Sequence, residues 1–256
     1  MDFARDTWYL FARLFRATVR MPVFVLISVV QPILWVVLFG QLFGAVTRIS
    51  GFGASSYVQF LAPGIAIMTA LFGSAYSGLG LLGDIDRGVL DRLLASPVSR
   101  GAVIASRLAL SSVQVVFQSA LILGVAALLG ARPRGGAAGL ACLLLASALL
   151  GAALAAFSNA LALLARRQEV VIAAMNFVVL PATFLSSMMM SAGLMPGWIR
   201  AAARFNPVNW AVVAARDAFE GRADLGLALR LGLLAAFAAA CAALATRAFE
   251  RYRRAL

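Results

Sequence analysis

The sequence contains no histidine and no lysine. Without histidine there is no Ser-His triad, no histidine proton relay and no histidine-ligated metal. Without lysine there is no P-loop, whose lysine must reach the β- and γ-phosphates. If ATP drives this protein, another polypeptide binds it. Cysteine is scarce, and Cys142 and Cys241 lie inside apolar runs, where they read as small buried hydrophobes and not as a disulfide or a metal site. Acidic residues number ten: Asp2, Asp6, Asp84, Asp86, Asp91, Glu169, Asp217, Glu220, Asp224 and Glu250. None falls in the middle of an apolar run. An ion-coupled transporter carries such a group near mid-membrane, and a membrane hydrolase needs a nucleophile and base or a metal cluster. Neither pattern is visible.

What remains is strongly apolar: 63% of the 256 residues are hydrophobic and 12% are charged. A soluble domain has about 45–50% and about 25% respectively. Runs of ~18 or more apolar residues read as membrane spans, because ~20 helical residues cross the hydrocarbon core. The chain is therefore expected to be all-α and polytopic in the membrane. Its net charge of +12 comes entirely from arginine. In a soluble protein that would point to nucleic acid. Here the arginines gather at the ends of apolar runs, as topology signals do, and no nucleic-acid partner is expected. The first apolar run is too long for a signal-peptide core, so no cleavable signal is expected.

Residues 2–20 have helical period, with Phe3, Leu10, Phe11, Leu14 and Phe15 on one side and most of the charges on the other. Such a helix beside a span lies in the membrane interface or is simply solvated. A transmembrane domain at 22–254 follows, with six spans at 23–46, 57–82, 102–130, 137–164, 170–190 and 225–246. An even number puts both termini on one side. That side holds thirteen arginines: 5, 13, 16, 20, 87, 92, 100, 166, 167, 247, 251, 253 and 254. The other holds seven: 48, 132, 134, 200, 204, 216 and 222. The larger number marks the cytoplasm. Residues 191–213 are too polar to span and too apolar for free solution. Pro196 and Pro207 break this segment, Trp198 is an anchor, and Asn206 precedes Pro207, so it reads as short re-entrant helices packed on the outer face.

Within the spans lie uncharged polar groups: Gln31, Gln41, Gln59, Gln114, Gln118, Asn159 and Asn176. They either hydrogen-bond between helices or line a path for an amphiphile. For the latter role Gln114, Gln118, Asn159 and Asn176 are the candidates. No internal repeat or second soluble domain is evident.

The connection "GDIDRGVLDRLLASPVSR", Gly83 to Arg100, is longer and more charged than two spans require. A helix at 84–96 is expected. Leu90, Leu93 and Leu94 form its apolar face, Asp86 and Asp91 favour its N-terminal part, and Pro97 ends it. Arg87, Gly88, Arg92 and Arg100 complete the segment. It is either a surface linker or a rigid element that docks on a cytoplasmic partner. At these residues "RGVLDRLLASPVSR" resembles the coupling helix of membrane subunits of type-2 ATP-binding-cassette exporters. "QPILWVVLFGQLF", "YVQFLAPGI" and "FLSSMMMSAGLMPGWIRAAARFNPVNWAVVAARDAF" resemble that family's first span, second span and external re-entrant region, in the same order. The departure is Asp86 before Arg87-Gly88, where many members carry glutamate.

The resemblance implies a permease subunit in the bacterial cytoplasmic membrane, with both termini cytoplasmic and no catalytic residues or cofactor of its own. It further implies two partner ATPase subunits that bind ATP and magnesium, a second membrane subunit, identical or not, and contact with membrane lipids. The compact loops look most like the daunorubicin-resistance type, exporting a lipophilic or amphiphilic drug or lipid. A polysaccharide, teichoic-acid or lipid-linked glycan exporter is the alternative within the family. A membrane scaffold or channel is the alternative outside it.

Overall fold

The computed structural model describes residues 2–42, 56–95, 99–190 and 192–254. All regular structure among them is helical. In chain order the helices are α1 (Phe3–Val19), α2 (Pro22–Leu42), α3 (Tyr57–Ala75), α4 (Ser77–Asp86), α5 (Val89–Ala95), α6 (Arg100–Leu128), α7 (Gly136–Ala165), α8 (Gln168–Phe184), α9 (Gly197–Ala203), α10 (Pro207–Phe219) and α11 (Leu225–Arg254). Among the described residues, four stretches are long and apolar enough to cross a membrane: 57–86, 101–128, 136–165 and 225–254. Val29–Leu42 and Gln168–Phe184 are shorter apolar helical stretches. Residues 43–46, assigned to the first span from sequence, and Pro97 lie outside the described residues.

α7 is the central helix, packed against α3, α4, α6, α10 and α11. Its sequence explains the position, because small residues let neighbouring backbones approach closely where lipid removes the hydrophobic drive. A Cβ on Gly151 would stand 2.9 Å from Ser74 Oγ and 3.0 Å from a Val115 methyl, so α3 and α6 both close on α7 there. Polar groups bridge the same contacts. Ser111 Oγ donates to Ser74 Oγ at 3.0 Å, and the Gly78 N–H donates to Ser158 Oγ at 3.0 Å.

Several boundaries differ from the sequence reading. The second apolar stretch stays helical to Asp86, with one break at Tyr76 between α3 and α4. Residues 84–86 therefore belong to α4, and the separate helix after it is only Val89–Ala95. Gly88, at φ +65°, makes the corner between them. The fifth apolar helix ends at Phe184 instead of running to residue 190. Side chains from the following segment take over its end: Asn206 Nδ2 donates to the Ala182 and Leu185 carbonyls at 2.7 and 2.9 Å. These are among the carbonyls a helix terminus leaves without intrahelical partners. The last helix continues to Arg254, well beyond residue 246. Residues 191–213 hold a 3₁₀ turn at Ala192–Leu194, then α9 and the first part of α10.

α1 lies along α6. It buries Leu10 and leaves Phe3, Trp8, Tyr9 and Phe15 exposed. Asp6 ties the two together by accepting the Ser99 N–H at 2.9 Å, at the N-terminus of α6.

Candidate functional site

Near the end of α4 the Asp84 side chain is buried and meets three arginines from three directions. Arg107, itself buried in α6, donates to Asp84 Oδ2. Arg87 donates to Oδ1 at 3.1 Å, and Arg13 of α1 approaches Oδ2 at 3.7 Å. Three guanidinium groups against one carboxylate leave two positive charges in surplus within the cluster. A carboxylate can accept several charge-assisted bonds, so Asp84 is well satisfied and the surplus is cationic. Charge counting on the sequence passes over Arg107, because it sits inside an apolar run. The reading that the arginines gather at the ends of apolar runs is thereby corrected: Arg107 lies within α6, and Arg230 lies in α11 and pairs with Asp217 at 2.7 Å. The legible signal was a lone ionisable residue in an apolar run, which has a partner by default.

The cluster floors a cavity of about 550 Å³. Gln31, Tyr76, Gln114 and Gln118 line it together with Arg87 and Arg107. Its other wall is a row of small residues at helical spacing, Gly73, Ser77 and Gly80, which ends at Asp84. A Cβ on Gly80 would lie 3.9 Å from Arg107 Nη1, so the missing side chain leaves the space in front of that guanidinium open. A second cavity of about 790 Å³ adjoins the first and shares Gln31, Pro32, Thr69, Phe72 and Tyr76 with it. Its character is different: Trp35, Phe39, Ile65, Met68, Met189 and Met195 make it mainly apolar. At its far end it reaches Ile199 of α9. Together the two form one groove that is cationic and polar at one end and apolar at the other.

The four candidate path residues divide. Gln114 and Gln118 line the first cavity. Asn176 lies in neither lining but accepts a hydrogen bond of 2.6 Å from the Tyr76 hydroxyl, and Tyr76 lines both cavities. Asn159 is fully buried, and its Nδ2 donates to the Ala155 carbonyl at 2.7 Å and Ser77 Oγ at 3.4 Å. It braces α7 on α4 and does not line the groove.

In the charged connection the apolar face turns inward. Leu90 is fully buried in the chain's own core, and Leu93 packs against that core. Of the apolar face read from the sequence, Leu90 thus points into this chain and not outward. Asp86, Arg87, Asp91 and Arg92 are exposed instead, and the Leu94 and Arg100 side chains are outside the described residues.

The opposite end is held by side chains. Asn206 caps α10, accepting the Val208 N–H at 2.9 Å, and Pro207 occupies the first turn, where its missing N–H is harmless. Pro196 precedes α9, and Trp198 is exposed on it. Arg216 of α10 is the main clasp. It donates to the Met188 carbonyl at 2.7 Å and the Phe60 carbonyl at 3.3 Å and stacks 3.7 Å over the Phe60 ring. Burial pushes its guanidinium down to about 9, opposed by Tyr57 and Asp217, so it remains a cation at neutral pH. Gln59 is a second clasp. It bonds both the N–H and the carbonyl of Arg132 at 2.8 Å and reaches Glu220 at 3.0 Å. The sequence marks neither residue as a clasp, because their partners are 28 to 161 positions away.

Residues 5–219 match the family described as ABC-2 type transporter. The chain is 31% identical over 222 residues to a daunorubicin resistance ABC transporter permease protein of Streptomyces coeruleorubidus, covering 85% of this chain and 77% of that protein. It is 28% identical to a doxorubicin resistance ABC transporter permease protein of Mycobacterium tuberculosis, over 89% of this chain and 81% of that one. A protein of Cyanophora paradoxa named as a transport permease is 32% identical over 82% of this chain and 72% of its own length.

Proposed function

Because the chain belongs to the ABC-2 type transporter family, we propose that it is the permease subunit of an exporter for lipophilic or amphiphilic molecules. Two relatives are named for resistance to daunorubicin and doxorubicin, which supports a drug-like or lipid-like cargo. In this reading α2, the α3–α4 pair, α6, α7, α8 and α11 are six spans of the bacterial plasma membrane, and both termini are cytoplasmic. α1 lies in the inner interface, while α9 and the start of α10 cap the outer one. Two ATPase subunits bind ATP and magnesium, and a second membrane subunit completes the transporter.

The observation that carries the reading is the groove with a cationic, polar end and an apolar end. An amphiphile entering from the inner leaflet meets hydrogen-bonding groups first and apolar surface after. A hydrophilic ion would find little in the Trp35–Met195 part to replace its hydration shell.

Force would enter through α5. Its exposed Asp86, Arg87, Asp91 and Arg92 contact the ATPase, and the buried Leu90 transmits movement into the bundle. Arg87 also holds Asp84, so the docking segment and the floor of the groove share one side chain. The test is reconstitution of the chain with a partner ATPase. Hydrophobic drugs or lipids should stimulate ATP hydrolysis, and sugars and amino acids should not. Stimulation by glycans alone would overturn the reading.

A further inference from the structure

We propose that the cavity floored by Arg87 and Arg107 is a recognition site for an anionic headgroup, a phosphate or carboxylate, on an amphiphile whose apolar body lies between Trp35 and Met195. The inference rests on the exporter reading and narrows its substrate class.

The first argument is charge. Asp84 neutralises one of the three arginines around it, and among the described residues no other acid lines that cavity. Arg107 is only 8% exposed. Arg107 itself donates to Asp84, so the surplus positive charge rests on the more exposed Arg87 and Arg13. An oxyanion lodged between Arg87 and the buried Arg107 is held more strongly than one at the open surface. The arginine fork also matches phosphate and carboxylate geometry.

The second argument is room. Gly73, Ser77 and Gly80 keep the wall facing the arginines free of bulk. Gln114 adds an amide group for the remaining oxygens of a headgroup. The third is continuity, since the apolar cavity begins at Gln31, Pro32, Thr69, Phe72 and Tyr76, which line both cavities. A headgroup at Arg107 thus places a chain or ring system directly in the apolar part. A cationic amphiphile would bring like charge to two surplus guanidiniums.

The sign of two substitutions distinguishes recognition from a structural role. If the Asp84–Arg107 pair only holds helices together, then Asp84→Asn and Arg107→Gln weaken the protein alike and neither has a specific effect on ligands. If the cluster recognises an anion, Asp84 competes with the ligand for the arginines. Asp84→Asn should then tighten binding, and Arg107→Gln should weaken it.

The experiment uses the full chain in nanodiscs of zwitterionic lipid, with binding of dodecyl phosphate, dodecylamine, dioleoyl phosphatidic acid and inorganic phosphate followed calorimetrically. Dodecyl phosphate should bind saturably and dodecylamine should not. Arg107→Gln should lose about tenfold or more in affinity, corresponding to about 1.4 kcal/mol per tenfold. Arg87→Gln, at the exposed edge of the cluster, should lose severalfold. Gly80→Phe should block the site while keeping every charge. Binding of the diacyl phosphatidic acid as well would assign the site to a bilayer lipid, and binding of dodecyl phosphate alone to a single-chain solute; both support an anion site. Inorganic phosphate should bind far more weakly than either, and equal binding would overturn the amphiphile part. Preference for the amine, or loss of affinity in Asp84→Asn and Arg107→Gln alike, would overturn the proposal. Because the partner ATPase is absent, the exporter reading is judged separately: transport of cationic drugs without anion binding would retain that reading and discard this one.

Discussion

Gly88 joins α4 to α5 with φ at +65°, and replacing it perturbs the coupling corner with little else. An L-residue in left-handed conformation costs about 1–2 kcal/mol. A Cβ built on Gly88 meets nothing within 4 Å, so the cost is carried by the backbone and not by packing. About 1.4 kcal/mol is a tenfold change in an equilibrium. Gly88→Ala should therefore reduce the native corner about tenfold relative to alternatives in which α4 and α5 straighten or part. Gly88→Val should cost more, because a β-branched residue is a poorer fit to positive φ. Gly88→Asn should cost less, since asparagine visits that region. Each variant is co-purified with the partner ATPase and reconstituted, and the ratio of stimulated to unstimulated hydrolysis is measured beside thermal unfolding. The coupling ratio should fall in the order Gly, Asn, Ala, Val, while the unfolding temperature moves only slightly. A valine variant that couples as well as the glycine protein would refute the argument. So would a ranking by side-chain volume, with asparagine below alanine.

Gln59→Leu should destabilise the fold by about 3 kcal/mol, from two neutral hydrogen bonds of about 1 kcal/mol each and one to a carboxylate; denaturant unfolding in detergent reads this, and a change below about 1 kcal/mol would contradict it. Gly139→Val should disrupt α7–α10 packing, because a Cβ there collides with the Ala218 carbonyl oxygen, whereas Gly232→Val, with open space around it, should be tolerated; equal expression and stability of the two would count against the close approach. A single cysteine at Ala201, with Cys142 and Cys241 replaced, should react with an impermeant thiol reagent from outside intact cells, and reaction only after permeabilisation would reverse the topology. The purified chain without a partner should bind no ATP at micromolar concentration, and measurable binding would contradict the argument from the missing lysine.

How far the sequence carries the structure depends on the range of the interactions involved. The long helices are legible because membrane thickness sets their length, and a run such as Gly136–Ala165 meets that requirement unaided. The Asn206–Pro207 start of α10 is legible because capping is local. The direction in which α5 turns its apolar face is not. Leu90 and Leu93 at helical spacing fit docking on a partner or burial in the chain's own core equally well, and only the tertiary arrangement chooses burial. The groove is less visible still, since its floor joins Arg13, Asp84 and Arg107 from three helices. Arg107 shows where the reading of charge falls short. Arginines at span ends are topology signals, so counting them by side discards any that lie inside a span. A cation within an apolar run has no topological use and costs free energy unless something pairs with it. Arg107 was therefore the informative residue, and its partner across the α4–α6 connection is Asp84. The same reasoning extends to Arg216, whose burial against Phe60 and Met188 binds α10 to α3 and to the segment after α8. In this chain the buried Arg107 marks the polar end of the groove, while Arg216 fastens helices beside it.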